Sequence, residues 1–442
     1  MIVPTTRLLV WVALVCVPFA VLQATVPGTG SLALAAMAAL ALLAVFDAWR
    51  SGRGIAGIAV KSADLVRMQK GCDGLFPLEF HNPQGVSRTL RAGVVFPAPL
   101  GAMDEELDAV IPAKSEVSRL NLRCHPSERG NYTVRLCVLE ALSPLGFWAR
   151  RVRHALHSEV RVYPNLMDDR RRVAALFLNR GRYGLHTQRQ AGKGRDFEKV
   201  REYVAGDSME DIHWKASAKR GRPVTKVFQV ERTQEVIVAL DASRLGMVRG
   251  ADGKTAFERF VATALILALA TRQQGDNIGL VAFSDRLLRF LPPRNGKSHF
   301  QVIRDMLYAL EPSPVAPDFH EIATTIRLRL RKRALLVFLT SLADPGTAEA
   351  FMQSVPPLCR QHLLVVNMIR PPSANPLFAD GAPVSSTGEI YDKLGGHLLW
   401  RELEGLKEQL QRKGVTFSLF DHERLAADVV SQYLTLKARQ IL

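Results

Sequence analysis

At 442 residues the chain has room for two or three domains at ~150 residues each. Its composition, 48% apolar and 23% charged, is that of a folded globular protein and excludes wholesale disorder. The formal charge of +16 is uneven: from Arg150 to Arg232 there are 20 Lys and Arg against 10 Asp and Glu. Such a field attracts nucleic acid, anionic lipid or an acidic protein surface, and location decides among them.

Location is written in the first fifty residues. Leu8 to Val26 and Leu32 to Trp49 are apolar runs, each close to the ~20 residues that a bilayer demands. "PGTGS" between them is enough for a tight turn. Pro18 is tolerated inside a membrane helix and Asp47 near an interface. A cleaved signal peptide is the rival reading of the first run, with Arg7 as its basic start. Leu22-Gln23-Ala24 makes a poor cleavage site for it. Arg50, Arg53, Lys61, Arg67 and Lys70 flank the second run, and cationic flanks stay on the cytosolic side. The expectation is a two-helix transmembrane hairpin over residues 1–50, with the soluble domains facing the cytosol. The five cysteines (Cys16, Cys72, Cys124, Cys137, Cys359) have no metal-ligand spacing and read as reduced packing thiols.

Residues 51–164 read as short strands broken by Gly, Pro, Asn and Ser, among them "GLFPLEFHN", "TLRAGVVFP", "EVSRLNLRC", "GNYTVRLCVLEA" and "SEVRVYP". They predict an immunoglobulin-like β-sandwich. "SPLGFWARRVRH" interrupts them as a turn followed by a basic run. Residues 235–442 change rhythm: "EVIVALDAS" and "ALLVFLTSL" hold continuous apolar runs, and helical patterns such as "AFERFVATALILALATRQQ" alternate with them. That alternation predicts an α/β, doubly wound parallel sheet.

Residues 165–234 form the joint between these units. "GLHTQRQAGKGRDFEKV" reads as a basic loop. Ser208 and Asp211 suggest a capping box, and Lys219, Arg220 and Gly221 a helix end, so "SMEDIHWKASAKR" predicts one short helix. That helix would bury Ile212 and Trp214 while Arg201, Asp207 and Lys215 pair across domains. Catalysis is poorly served here, since His213 and Asp211 are two apart and face different ways on a helix. Tyr203 and Trp214 among basic residues keep a nucleic-acid site as an alternative, although a membrane-tethered body seldom meets nucleic acid and none is expected as a partner.

Nucleotide chemistry finds no engine. "NGKS" at Asn295 to Ser298 has Leu291 where a phosphate loop needs its leading Gly. "LDASRL" is similar to the metal-ion-dependent adhesion site of von Willebrand factor A-type domains, an Asp-x-Ser-x-Ser pattern completed by a later Thr and Asp. Asp241 and Ser243 remain, but Leu245, Pro317 and Ser341 stand at the other positions. A hard divalent cation needs several oxygens. Asp241 and Ser243 are thus vestigial metal candidates, with Thr340 or Asp344 the residues to compensate. No cofactor is expected, magnesium being the one that this resemblance raises. A divalent-cation enzyme remains an alternative.

"VREYVAGDSMEDIHWKASAKRGRPVTKVFQVE", Val200 to Glu231, resembles the hallmark of the bacterial domain-of-unknown-function 58 family. "ERGNYTV", "SPLGFWARR" and "EVRVYPNL" extend the resemblance upstream. It implies a protein of the bacterial inner membrane that carries a sandwich, a signature segment and an A-type domain. It also implies work alongside an AAA+ ATPase of MoxR type in assembly or maturation of a client protein. The expectation is a non-enzymatic, membrane-anchored adaptor whose signature residues Arg201, Tyr203, Gly206, Asp207, His213, Trp214 and Lys215 form an interface.

Overall fold

The computed structural model describes the chain except residues 26–29, 52–54, 56, 84–86, 105, 114–115, 168, 172, 175–190, 205–207, 230–233, 251–252, 378–385 and 440–442. It divides into two compact units, Met1–Asn165 and Leu166–Leu442.

The first unit opens with strand β1 (Ile2–Pro4), then helices α1 (Thr6–Thr25) and α2 (Gly30–Ser51). Helix α2, 22 residues with most of its surface exposed, is long and apolar enough to cross a membrane. The apolar stretch described in α1, Thr6–Leu22, is shorter, so among the described residues one helix of the expected two meets that measure. Strands β2 (Ala59–Ser62), β3 (Leu65–Gln69), β4 (Gly74–His81), β5 (Arg88–Val94), β6 (Glu106–Ile111), β7 (Val117–Cys124), β8 (Gly130–Leu142) and β9 (Trp148–Tyr163) follow. One sheet runs β1-β9-β8-β5-β6 with β3 also on β9, and the other runs β2-β4-β7. Phe76, Leu78 and Phe80 of β4 meet Leu90, Leu139 and Val160 of the larger sheet in one shared core, which makes the unit a two-layer sandwich. The basic run after "SPLGFW" does not interrupt the strands: it lies within β9, paired antiparallel to β8 from Leu142↔Ala149 to Gly130↔Val162. All five cysteines are free thiols. Burial pushes the Cys124 thiol up to about 11 and Cys137 up to about 12, so both stay protonated packing groups.

In the second unit β10 (Ala191–Glu202) pairs antiparallel with β11 (Val224–Gln229), and helix α3 (Trp214–Arg220) lies in their connection. The sequence reads a loop up to Val200. From Ala191 onward that segment is strand, because β11 supplies the backbone partners, and residues 184–190 lie outside the described residues. Then come β12 (Glu235–Asp241), α4 (Ala256–Gln273), β13 (Asn277–Phe283), β14 (Leu287–Arg294), α5 (Lys297–Leu307), α6 (Phe319–Arg329) and β15 (Leu335–Leu339). Helices α7 (Pro345–Ser354) and α8 (Pro356–Cys359), strand β16 (Leu363–Ile369), α9 (Thr387–Arg412), β17 (Val415–Phe420) and α10 (Leu425–Ala438) complete it. The sheet order is β14-β13-β12-β15-β16-β17, parallel except for the β13–β14 pair.

Helices cover both faces, as the alternation predicts. Val236, Val238 and Leu240 of β12 pack toward α4, α5 and α10. Ile237 and Ala239 face the other way, toward α6, α7, α8 and α9. Within that second core the rings of Phe283, Phe319, Phe338 and Phe351 meet edge to face at centroid separations of 5.0–6.4 Å. Asp276, ahead of β13, is buried and accepts from the Tyr433 hydroxyl and, at 2.7 Å, from Lys437 Nζ, which fastens α10 to the amino end of the sheet.

Phe351 touches two of its ring partners and lies fully inside. Phe351→Ala is expected to destabilise the chain by ~3–5 kcal/mol in urea unfolding. A loss below about 1 kcal/mol would mean that this face is not packed as described.

Candidate functional site

The chain order in the main sheet reverses between β12 and β15: β13 and β14 lie to one side of β12, and β15 to β17 to the other. Loops leaving the carboxyl ends of these two strands diverge, and in open α/β sheets ligands bind at such a point. Asp241 ends β12 there and is fully buried. Its Oδ1 accepts from the Ser243 N–H at 2.9 Å and its Oδ2 from the Thr340 hydroxyl at 2.5 Å, a bond that crosses the reversal point. The hydroxyl of Ser243, buried as well, accepts from the Leu245 N–H at 3.3 Å. From the loop after α5, the N–H and hydroxyl of Ser313 donate to the Ala242 carbonyl at 2.8 and 3.3 Å, and the Arg244 N–H donates to the Val315 carbonyl at 2.9 Å. Burial pushes the Asp241 carboxyl above the usual carboxylate range, and its donors from Thr340 and Ser243 pull it back in part.

This donor set does not suit a resident divalent ion. Both oxygens of Asp241 already receive protein donors. Asp344 does not fill the gap, because its Oδ2 accepts from the N–H and hydroxyl of Thr347 at 2.9 and 2.8 Å and caps α7. Those bonds, helped by the charge of Arg244, hold the Asp344 carboxyl below its usual range. Among the described residues, no three His, Cys, Asp or Glu side chains converge as metal ligands. Asp241 and Ser243 serve the turn, and Thr340, three strands later in sequence, completes it.

The second site is the signature hairpin. Arg201 pairs with Thr225 and Glu202 with Val224 in the β10–β11 ribbon. Glu202 also meets Arg222 in an ion pair of 2.5 Å, and the Tyr203 N–H donates to the Pro223 carbonyl at 3.1 Å. The single helix expected from Ser208 to Arg220 is divided. Met209–Asp211 is a 3₁₀ turn without a side-chain cap from Ser208, and Ile212 bridges to Thr225 in extended conformation. Helix α3 therefore begins at Trp214. Its cap is His213, whose Nδ1 accepts from the Ala216 N–H at 3.3 Å. Ser217, which the sequence reading passed over, donates to the His213 carbonyl at 3.1 Å and accepts from the Val224 N–H at 2.9 Å. The helix closes on Gly221 at φ +66°, the left-handed C′ conformation expected of it.

Burial sorts the signature residues. Ile212 goes inside, as expected, but Trp214 does not: 70% of its surface is exposed. The reason is local, since pairing of Ile212 with Thr225 and capping by His213 turn the next side chain outward. Arg201 and Lys215 are exposed and Tyr203 and His213 half-buried, while Gly206 and Asp207 lie outside the described residues. Met209, also exposed, precedes Trp214 in the same connection.

A β-ribbon with a capped helical connection, followed by an α/β sheet with a single antiparallel edge, defines the class of the second unit. Residues 199–381 match the family model described as Protein of unknown function DUF58, a span that holds both candidate sites. The signature stretch Val200–Glu231 lies within that match, as the resemblance predicts. No curated protein matches the chain. Among solved structures, an aerotolerance-related membrane protein from Bacteroides fragilis is 14% identical, over 46% of this chain and 98% of its own, with a TM-score of 0.26. An uncharacterized membrane spanning protein from Vibrio fischeri is 13% identical, over 47% and 98%, with a TM-score of 0.18. Proximal thread matrix protein 1 from the mussel byssus is 12% identical, over 46% of each chain, at 0.24. Likenesses this low carry no weight for the fold or function of this chain.

Asp241 has a native proton affinity above its ordinary one near pH ~4. Its unfavourable contribution is therefore absent below about pH 4 and grows as pH rises through the native value. The stability of the parent relative to Asp241→Asn is expected to fall as pH rises from about 4, read as the difference in urea midpoints. A difference independent of pH would show that Asp241 is not buried as a carboxylate.

Proposed function

We propose that the chain is a non-enzymatic adaptor of the bacterial inner membrane that holds a protein partner through the signature hairpin. The observation that carries this reading is Trp214, a large aromatic turned to solvent at the start of a helix whose neighbours His213 and Ser217 are used internally. Exposed Trp set among cations suits a docking hot spot, because it gains most when desolvated by a partner. On this reading α1 and α2 form a two-pass transmembrane hairpin with both ends in the cytosol. The sandwich is immunoglobulin-like. The α/β sheet is a von Willebrand factor A-type domain that has given up its cation, a reading supported by the strand order with one antiparallel edge and by the occupied carboxylate of Asp241. The partner that the signature implies is a MoxR-type AAA+ ATPase, which would supply the energy to act on a client protein.

Detergent-solubilised full-length chain is expected to capture the MoxR-type ATPase of the same organism in at least one nucleotide state. Trp214→Ala is expected to lose that capture by tenfold or more, about 1.4 kcal/mol, with its unfolding midpoint unchanged, since an exposed side chain adds little to stability. No capture in any nucleotide state, or full capture by Trp214→Ala, would refute the reading.

A further inference from the structure

The turn between β8 and β9, residues 143–147, is held by both ends of the helical pair. Asp47 in the last turns of α2 is 1% exposed. Its carboxylate accepts from the Ser143 hydroxyl at 2.5 Å, the Leu145 N–H at 3.0 Å and the Phe147 N–H at 3.2 Å. Trp148 Nε1 donates to the Ala44 carbonyl of the same helix at 2.8 Å. On the other side Thr5, just ahead of α1, donates its N–H to the Phe147 carbonyl at 2.9 Å and its hydroxyl to the Gly146 carbonyl at 2.5 Å. The Arg7 guanidinium lies against Gly146, where φ is +73°.

These bonds fix a depth. Ala44 precedes Ser51, the end of α2, by seven residues, about 10 Å along the axis at 1.5 Å per residue. The hairpin tip thus stands beside the last two turns of α2 rather than beyond its end. A backbone turn at that level of a bilayer needs internal partners for its N–H groups, and Asp47 provides them for Leu145 and Phe147. The tip's outward side chains suit the same place: Leu142 is 58% and Leu145 47% exposed. Trp49 on α2 is exposed too, at the level where amphipathic rings collect. Arg7, Arg50 and Arg150 flank this rim, as an anionic headgroup layer requires.

We propose that the β8–β9 hairpin tip is a further membrane contact of this chain, seated in the headgroup layer of an anionic bilayer and held at that depth by Asp47. It rests on the reading of α2 as a membrane span. The partner is a lipid surface, chosen by the tip's continuity with α2 and by its exposed leucines among cations.

The test uses the full chain reconstituted in vesicles of phosphatidylcholine and phosphatidylglycerol, with an environment-sensitive fluorescent amino acid placed singly at Leu43, Leu145 or Met103. Leu43 reports the span, Leu145 the tip, and Met103 is an exposed position of the same sandwich. The probe at Leu145 is expected to lose most of its emission to lipids carrying a shallow nitroxide and little to aqueous iodide, whereas Met103 does the reverse. If Leu145 behaves as Met103 does while Leu43 is quenched from within the lipid, the helix spans and the proposal is overturned. If Leu43 itself is open to iodide, the membrane reading fails along with it. Asp47→Ala is expected to release the Leu145 probe to iodide with Leu43 still in lipid; an unchanged Leu145 would overturn the part given to Asp47.

Discussion

A parallel strand paired on both edges and covered on both faces can carry polar side chains only at its ends, and β12 organises the second unit through that constraint. Val236, Val238 and Leu240 are committed to one core and Ile237 and Ala239 to the other. Asp241 is the first position free of either, yet it is buried as well, so its carboxylate must find donors or lose its charge. The donors it finds shape their surroundings. Ser243 tightens the turn that leaves β12, and Thr340 ties β12 to β15 across the place where the strand order reverses. The loop after α5 then fastens to the same turn through Ala242 and Arg244. The architecture at the carboxyl ends of the sheet follows from the solvation of one buried carboxylate.

Asp47 in the first unit meets the same physical demand with a different result. A carboxylate near the end of an apolar helix is costly in lipid, and in the sequence it passes as merely tolerated. Its partners lie 96 to 100 residues away, in the turn after β8. Nothing local to Asp47 announces them, whereas "SPLGFW" itself is plainly a turn. The ionisable group in α2 is a joint between helix and sandwich, and it converts an isolated charge into a fixed register between the two.

Legibility in the sequence tracks how local the deciding interaction is. "EVIVALDAS", "NIGLVAFS" and "HLLVVNMI" hold continuous apolar runs because burial on both faces leaves no alternation, and each contains a strand one or two residues shorter than the stretch read from the sequence. The register shift between Val134 and Leu136 opposite β9 is a bulge. It lies opposite Ala155 and Ser158, beyond the arginines of β9; Arg151 and Arg153 stand on the exposed face of that strand and, with Arg150 beside them, look like a basic run instead. The division of the signature helix has a different cause. Ser208, Asp211 and Gly221 carry the correct terminal signals for one helix, but bridging of Ile212 to Thr225 in the neighbouring strand outcompetes the first turn.

Within the signature each residue then has a separate physical assignment. Ile212 is buried, His213 gives Nδ1 to the helix cap, and Ser217 links the cap to β11 by donating to one backbone group and accepting from another. A histidine in that position works as an acceptor for its own helix through Nδ1. The bonds that hold it lie entirely inside the hairpin. What the arrangement leaves outside is Trp214, followed by the cations Lys215, Lys219 and Arg220. A structural joint and a docking surface are therefore compatible in the same short segment, because the polar side chains that build the joint are the ones that turn the aromatic ring away from it.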